Sequence, residues 1–254
     1  MELRALGNSG IKVSPLGLGT VKIGRNQQVK YPKQFQLPDD NAVRNLFSIA
    51  RDCGINLIDT APAYGSSMQR LGKLLPKNEE WVIVSKVGEF FEQGKSRFDF
   101  SYATTIRTVE ESLQTLKRDA LDVVLIHSDG NDLEILENEG APDALRELKE
   151  RGLIHAHGLS IKTANGGLRA VTEMDVVMCT CNPAYPDEIP VIEAAKENNC
   201  GILIKKGLQS GHTDSIEQSL KFIFAQAGVS SLIVGTINPN HLQQNISALE
   251  QILS

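Results

Sequence analysis

Asp59, Tyr64, Lys86 and His127 stand at or just beyond the ends of short apolar runs. An aspartate, a tyrosine, a lysine and a histidine gathered at one place suit protonation of a carbonyl oxygen while hydride arrives at its carbon. A tyrosine with a pKa of about 10 is a poor acid at neutral pH unless its anion is stabilised, and a neighbouring ammonium does that. Lys86 is expected to supply the ammonium. Asp59 is expected to pair with Lys86, because an unpaired lysine in a partly dry pocket tends to lose its proton. His127 is expected to hydrogen-bond the substrate oxygen and fix its angle. Singly, each has an ordinary explanation: Asp59 as a turn cap, Lys86 as a solvated strand end, His127 as a core histidine, Tyr64 as a packed loop ring. Their convergence at one place is what those explanations do not supply.

Convergence requires a particular frame. Short apolar runs at 14–20, 55–59, 81–86, 121–127, 154–160, 175–180, 201–206 and 231–236 alternate with longer amphipathic stretches, the pattern of βα units. Asp39 or Asp40 can cap a helix that turns Val43, Leu46, Phe47 and Ala50 to one side, with Gly54 after its end. Ser101 precedes Ile106, Val109, Leu113 and Leu116, and a last helix is expected from near Pro239 with Leu242, Ile246, Leu249 and Ile252 inward. Eight such units leave a closed parallel barrel or an open doubly wound sheet. GLGT at 17–20 lacks the third glycine of a dinucleotide turn, and a long loop from Val21 to Pro38 rather than a helix is expected after it. The reading is therefore α/β, a (β/α)8 TIM barrel, with residues 1–254 as a single domain. Residues 1–12, with a turn at Gly7-Asn8-Ser9-Gly10, are expected to form a β-hairpin over the barrel floor. In such a barrel the polar strand ends meet at one mouth: Asp59, Lys86, His127, Ser160, a position near Asn182, Lys205-Lys206 and Gly235-Thr236.

Composition narrows the class further. With 41% hydrophobic and 22% charged residues the chain has ample material for a core. A net charge of -5 argues against a nucleic-acid surface, although an anionic small ligand remains open if basic residues gather locally. Cys53, Cys179, Cys181 and Cys200 form no CxxC pair, so neither a metal site nor a disulfide framework is expected. The start lacks a secretory pattern and no run approaches the roughly 18 apolar residues of a membrane span. A cytoplasmic monomer without membrane contact is expected.

The segments LGLGT (16–20), IDTAPAYG (58–65), VSKVG (84–88), LDVVLIH (121–127) and GLS (158–160) resemble the aldo-keto reductase family over nearly the whole chain. The family's catalytic Asp lies five residues before its Tyr, its Lys ends the third strand and its His ends the fourth, as do Asp59, Tyr64, Lys86 and His127 here. The resemblance implies NADPH as cofactor, with NADH possible, and a small-molecule carbonyl substrate reduced to an alcohol with Tyr64 as general acid. It places the cofactor against Gly19, Thr20, Asp59 and Ser160, its phosphates near Lys205, Lys206, Gly207, Leu208, Gly235 and Thr236, and its far end at His241, Gln244 and Asn245. Phosphate sites after the last two strands are also the general habit of barrels, where Gly207 and Gly235 would let backbone amides approach. Departures from the family pattern are Ile161 for an asparagine, Met178 for a glutamine, Lys205 for a stacking tyrosine and His241 for an arginine facing the 2'-phosphate. His241 gives less fixed charge than a guanidinium, which Lys205 and Lys206 could offset.

For substrate, Tyr31, Phe35, Phe90 and Phe91 are candidate pocket residues, and the stretch after His127 is an acidic loop (Asp129, Asp132, Glu134, Glu137, Glu139). The family's longer members carry a segment beyond the last helix that this sequence lacks, so an open pocket for varied aldehydes or activated ketones is expected. Two alternatives stand beside the reductase. The altered nicotinamide contacts suit a cofactor-binding redox-sensing or regulatory relative with little turnover, and Lys86 or Lys205 could serve a Schiff-base lyase or aldolase.

Overall fold

A computed structural model describes residues 1–75 and 80–253. Eight strands pair in parallel and close on themselves: β1 (Leu16–Gly19), β2 (Leu57–Asp59), β3 (Val82–Val87), β4 (Leu121–His127), β5 (Ile154–Ser160), β6 (Val176–Thr180), β7 (Gly201–Lys205) and β8 (Val229–Val234), which returns to β1. Outer helices follow them: α1 (Asp40–Asp52), α2 (Ser67–Leu74), α3 (Tyr102–Leu116), α4 (Ala141–Glu150), α5 (Ala164–Ala170), α6 (Ile189–Glu197), α7 (Ile216–Phe224) and α8 (Pro239–Leu253). The expected (β/α)8 barrel is the observed one.

Strand parity divides the apolar residues between two cores. Successive side chains of a strand point to opposite faces. Leu57, Val84, Val123, Leu125, Ala156, Val176, Met178 and Leu203 therefore fill the barrel, while Ile58, Ile83, Val124, Ile126, Leu159, Val177 and Ile204 pack outward with the helices. The helices meet them with the stripes read from sequence. Asp39 caps α1 by accepting from the Ala42 amide, and Val43, Leu46, Phe47 and Ala50 are buried beneath it. Ser101 caps α3 in the same way through the Thr104 amide, and Leu242, Ile246 and Leu249 bury one face of α8.

The N-terminal hairpin pairs Arg4–Ala5 with Lys12–Val13, and its Leu6 and Val13 join the interior cluster as the barrel floor. Gly7 makes this possible. At φ +56 a Cβ there would lie 2.4 Å from the Asn199 carbonyl oxygen, so only glycine lets the turn press onto the start of β7.

Three connecting segments differ from the sequence reading. GLGT is followed by a short helix, Val21–Gly24, before the long loop begins; one turn is too short to be the phosphate helix of an open sheet. An antiparallel hairpin, Glu89–Glu92 with Lys95–Phe98, stands after β3. The acidic stretch after β4 is a helix over Asp132–Asn138, and Asp132 is buried, its carboxylate accepting from the amides of Lys162 and Thr163.

Candidate active site

The parity that buries Leu57, Val84, Leu125 and Leu203 inside the barrel places Asp59, Lys86, His127 and Lys205, two residues further on, at its C-terminal mouth. Asp59 is 4% exposed and Lys86 1% exposed, and they form a buried ion pair through Lys86 Nζ and Asp59 Oδ1. Lys86 Nζ also donates to the Thr60 carbonyl at 3.0 Å. The backbone of Asp59 is fixed by a chain of hydroxyls. Thr20 Oγ1 donates to the Asp59 carbonyl at 2.8 Å and accepts from Ser67 Oγ at 2.6 Å, and Ser67 Oγ in turn lies 3.0 Å from Thr60 Oγ1. Thr20 thus stands in the cavity wall, but its hydroxyl is spent on positioning Asp59 rather than offered to a ligand.

Tyr64, on the loop after β2, donates its hydroxyl to Asp59 Oδ2 over a long 3.5 Å. The Lys86 ammonium sits 4.8 Å from the centre of the Tyr64 ring and makes no hydrogen bond to its oxygen. This corrects the sequence expectation. Burial first, and then the Asp59 charge, hold the Tyr64 hydroxyl well above its ordinary value, so the free site keeps the phenol protonated instead of easing its ionisation. Burial also pulls the Lys86 ammonium below lysine's usual value, against the opposing attraction of Asp59.

His127 meets the Tyr64 ring edge-on, with centroids 6.2 Å apart. Its Nδ1 lies 2.7 Å from Glu89 Oε2. The carboxylate stands off the N–H direction, so the contact is close without being an aligned hydrogen bond, and burial leads in holding the His127 midpoint below its ordinary value. Sequence reasoning missed Glu89, since its hairpin has no counterpart in the βα pattern. On β5 and β7, Ser160 Oγ accepts from Lys205 Nζ at 3.0 Å, and Lys205 also donates to the Ile161 carbonyl. Burial, followed by the neighbouring Lys206 charge, brings Lys205 down to about 8.

These groups line one cavity of about 540 Å³, within the usual range for small-molecule sites. All of the residues singled out in sequence for catalysis and cofactor contact are on its wall: Asp59, Tyr64, Lys86 and His127 at the mouth, Gly19, Thr20 and Ser160 beside them, then Lys205, Lys206, Gly207, Leu208, Gly235 and Thr236, and finally His241, Gln244 and Asn245. Of the candidate pocket aromatics, Tyr31 is there, its hydroxyl 2.9 Å from where a Cβ on Gly235 would be. Phe35 packs on Tyr31 instead, and Phe90 and Phe91 are covered by Arg97 and Arg25 on the hairpin side. Gly207 has a packing role: a Cβ there would run into Leu232 and Ile223 at 2.5 and 2.6 Å.

Two features fit an elongated anionic cofactor. Lys22, Arg25, Lys30, Lys86, Lys162, Lys205 and Lys206 line the cavity against the carboxylates of Asp59 and Glu89 alone, so the wall is basic although the chain is net acidic. At the far end, Asn245 is 5% exposed and its Oδ1 has no partner among the described residues, an acceptor suited to a donor such as a base amino group.

Ionisable groups drawn from several strand ends into one mouth are the arrangement of a barrel enzyme. Residues 15–217 match the sequence model of the Aldo/keto reductase family. The chain belongs to that family, whose members are oxidoreductases that use nicotinamide cofactors. It is 27% identical to L-galactose dehydrogenase of Arabidopsis thaliana over the whole of this chain and 90% of the relative. An NADH-specific methylglyoxal reductase of Escherichia coli is 32% identical over 62% of this chain and 51% of its own length. Among solved structures, a putative aldo-keto reductase of Pseudomonas aeruginosa is 52% identical, with a TM-score of 0.92 over 99% of this chain and 95% of the other. Among the described residues, no helix is long and apolar enough to cross a membrane and no cluster could hold a metal ion.

Proposed function

We propose that the protein interconverts a small carbonyl compound and its alcohol, with NADPH as the preferred nicotinamide cofactor and NADH also accepted. The observation that carries this is the meeting of Tyr64, the Asp59–Lys86 pair and His127 at one end of a basic cavity that runs on to Asn245. When bound, the nicotinamide supplies hydride to the carbonyl carbon or takes it from the alcohol.

The chain's own residues do the rest. Tyr64 holds the proton that the carbonyl oxygen takes up. Asp59 orients the phenol through Oδ2, and Lys86 fixes Asp59 through Oδ1. As negative charge develops on the substrate oxygen, the nearby Lys86 ammonium favours it. His127 binds the same oxygen and sets its angle. Lys205 and Ser160 hold the ring end of the cofactor, Lys206 and the backbone at Gly207, Leu208, Gly235 and Thr236 hold its phosphates, and His241, Gln244 and Asn245 hold its far end. Lys30 and Lys162 add charge that the sequence did not reveal, and they support NADPH despite His241.

The test is consumption of NADPH, beside NADH, by purified protein with a panel of aldehydes and aldoses. Turnover that Tyr64→Phe abolishes supports the reading. Cofactor binding without turnover on any carbonyl or alcohol would refute it.

A further inference from the structure

Glu89 has no part in the reading above, yet its carboxylate is the nearest negative charge to the imidazole that meets the substrate. It follows Gly88, which at φ +95 turns the chain from β3 into the hairpin, its Cα face pressed on the Phe100 ring. Within that hairpin Ser96 Oγ donates to Glu89 Oε1 at 2.6 Å, which leaves Oε2 beside His127 Nδ1, 2.7 Å away. His127 is the only basic side chain within 4 Å of the Glu89 carboxylate among the described residues, although Arg25 adds its field. At 2.7 Å the Glu89 carboxylate repels the partial negative charge of an unprotonated Nδ1, so even out of line it favours a proton there. His127 lines the cavity, and no hydrogen bond to its other nitrogen, Nε2, is made among the described residues. With the neutral ring protonated on Nδ1, Nε2 is an acceptor and repels a carbonyl oxygen. It becomes a donor only when the ring is doubly protonated.

We propose that Glu89 is a positioning residue that fixes the proton on His127 Nδ1 and supports the imidazolium, so that His127 engages the substrate oxygen as a charged donor. The inference rests on the carbonyl chemistry proposed above. The balance of charges around the ring is explicit. Burial opposes the imidazolium, as do Lys86 from β3 and Lys205 from β7, while Glu89 favours it and Tyr64 meets the ring without charge. Asp59 is neutralised by Lys86. Burial disfavours a charged Glu89 too, but His127 and Ser96 outweigh it and hold the carboxyl at about 2, so its charge persists through the working pH range. Glu89 thus lifts a midpoint that burial, the leading cause, still holds below the ordinary histidine value, and carbonyl reduction falls as pH rises through that midpoint.

The experiment uses Glu89→Gln, which keeps the shape and an oxygen for Ser96 but removes the charge, and Glu89→Asp, which keeps the charge. Nitrogen-15 spectra of labelled histidine report the His127 midpoint without any turnover, with His127→Gln for assignment. Expected is at least a tenfold fall in the proton affinity of His127 in Glu89→Gln and partial recovery in Glu89→Asp. The high-pH limb of kcat/KM for reduction moves down by the same amount, with NADPH affinity unchanged. A midpoint that stays or rises, or a midpoint that moves while the kinetic limb does not, overturns the inference. Absence of turnover in the unmodified protein would sink the carbonyl reading instead, while the spectra still judge the Glu89–His127 pairing.

Discussion

Replacing Lys86 with methionine keeps an unbranched stem but strands the carboxylate of Asp59 inside the mouth. Both residues are almost fully enclosed, at 1% and 4% exposure, so solvent cannot take over from the ammonium. What remains to Asp59 is the Tyr64 hydroxyl at 3.5 Å, too long to satisfy a charge, and the Thr60 carbonyl loses its 3.0 Å donor as well. Breaking a buried pair by removing one partner costs about 3–5 kcal/mol. The double variant Asp59→Asn/Lys86→Met removes the stranded charge and leaves unmet neutral groups worth about 1–3 kcal/mol. It is therefore expected to be about 2 kcal/mol more stable than Lys86→Met alone, a coupling that independent sites do not show. Urea unfolding measures this, followed by circular dichroism and by the fluorescence of Trp81, the only tryptophan, which packs on Phe47 with centroids 6.4 Å apart. Coincidence of the two signals justifies the free energies. Turnover separates stability from chemistry, because the double variant regains the first and not the second. If the double variant is no more stable than Lys86→Met, the mouth is wet enough to solvate Asp59, and the account of how Lys86 and Asp59 hold Tyr64 is wrong.

Tyr64→Phe loses a single long hydrogen bond, so turnover disappears while stability changes by less than about 1 kcal/mol, as thermal melts and an NADPH binding isotherm would show. His241→Arg supplies a fixed charge, and the ratio of kcat/KM for NADPH over NADH is expected to rise by about tenfold, for about 1.4 kcal/mol. Lys205 sits near 8 and attracts an anionic cofactor only while protonated, so NADPH binds more tightly below that pH and more weakly above it. A fluorescence titration from pH 6.5 to 9.5 reads the loss, and Lys205→Met removes it. Leu6→Ala opens a hole in the barrel floor, remote from the mouth, and is expected to cost about 2–5 kcal/mol with kcat and KM intact.

The legible part of this protein is what repeats. A parallel barrel imposes the same parity on every strand, so an inward apolar residue followed two places later by a polar one signals the mouth wherever it recurs. That is why Asp59, Lys86, His127, Ser160 and Lys205 could be placed from sequence, and why the stripes of α1 and α8 could be read residue by residue. The illegible part is what the connecting segments do, because their contacts depend on closure of the whole ring. Nothing near Glu89 in the chain announces His127, 38 positions on; they meet because β3 and β4 are neighbours, with Val87 opposite Ile126. Tyr31 and Gly235 belong to opposite ends of the sequence and come together because β8 closes against β1. Proton placement at the mouth belongs to this second kind. The sequence suggested that Lys86 would ease ionisation of Tyr64. In the fold the ammonium is turned to Asp59, and the carboxylate that bears on His127 comes from a hairpin outside the βα repeat. Residue types at the strand ends set the class of chemistry, whereas the protonation of His127 is tuned by Glu89, a hairpin residue that only the closed barrel brings within reach.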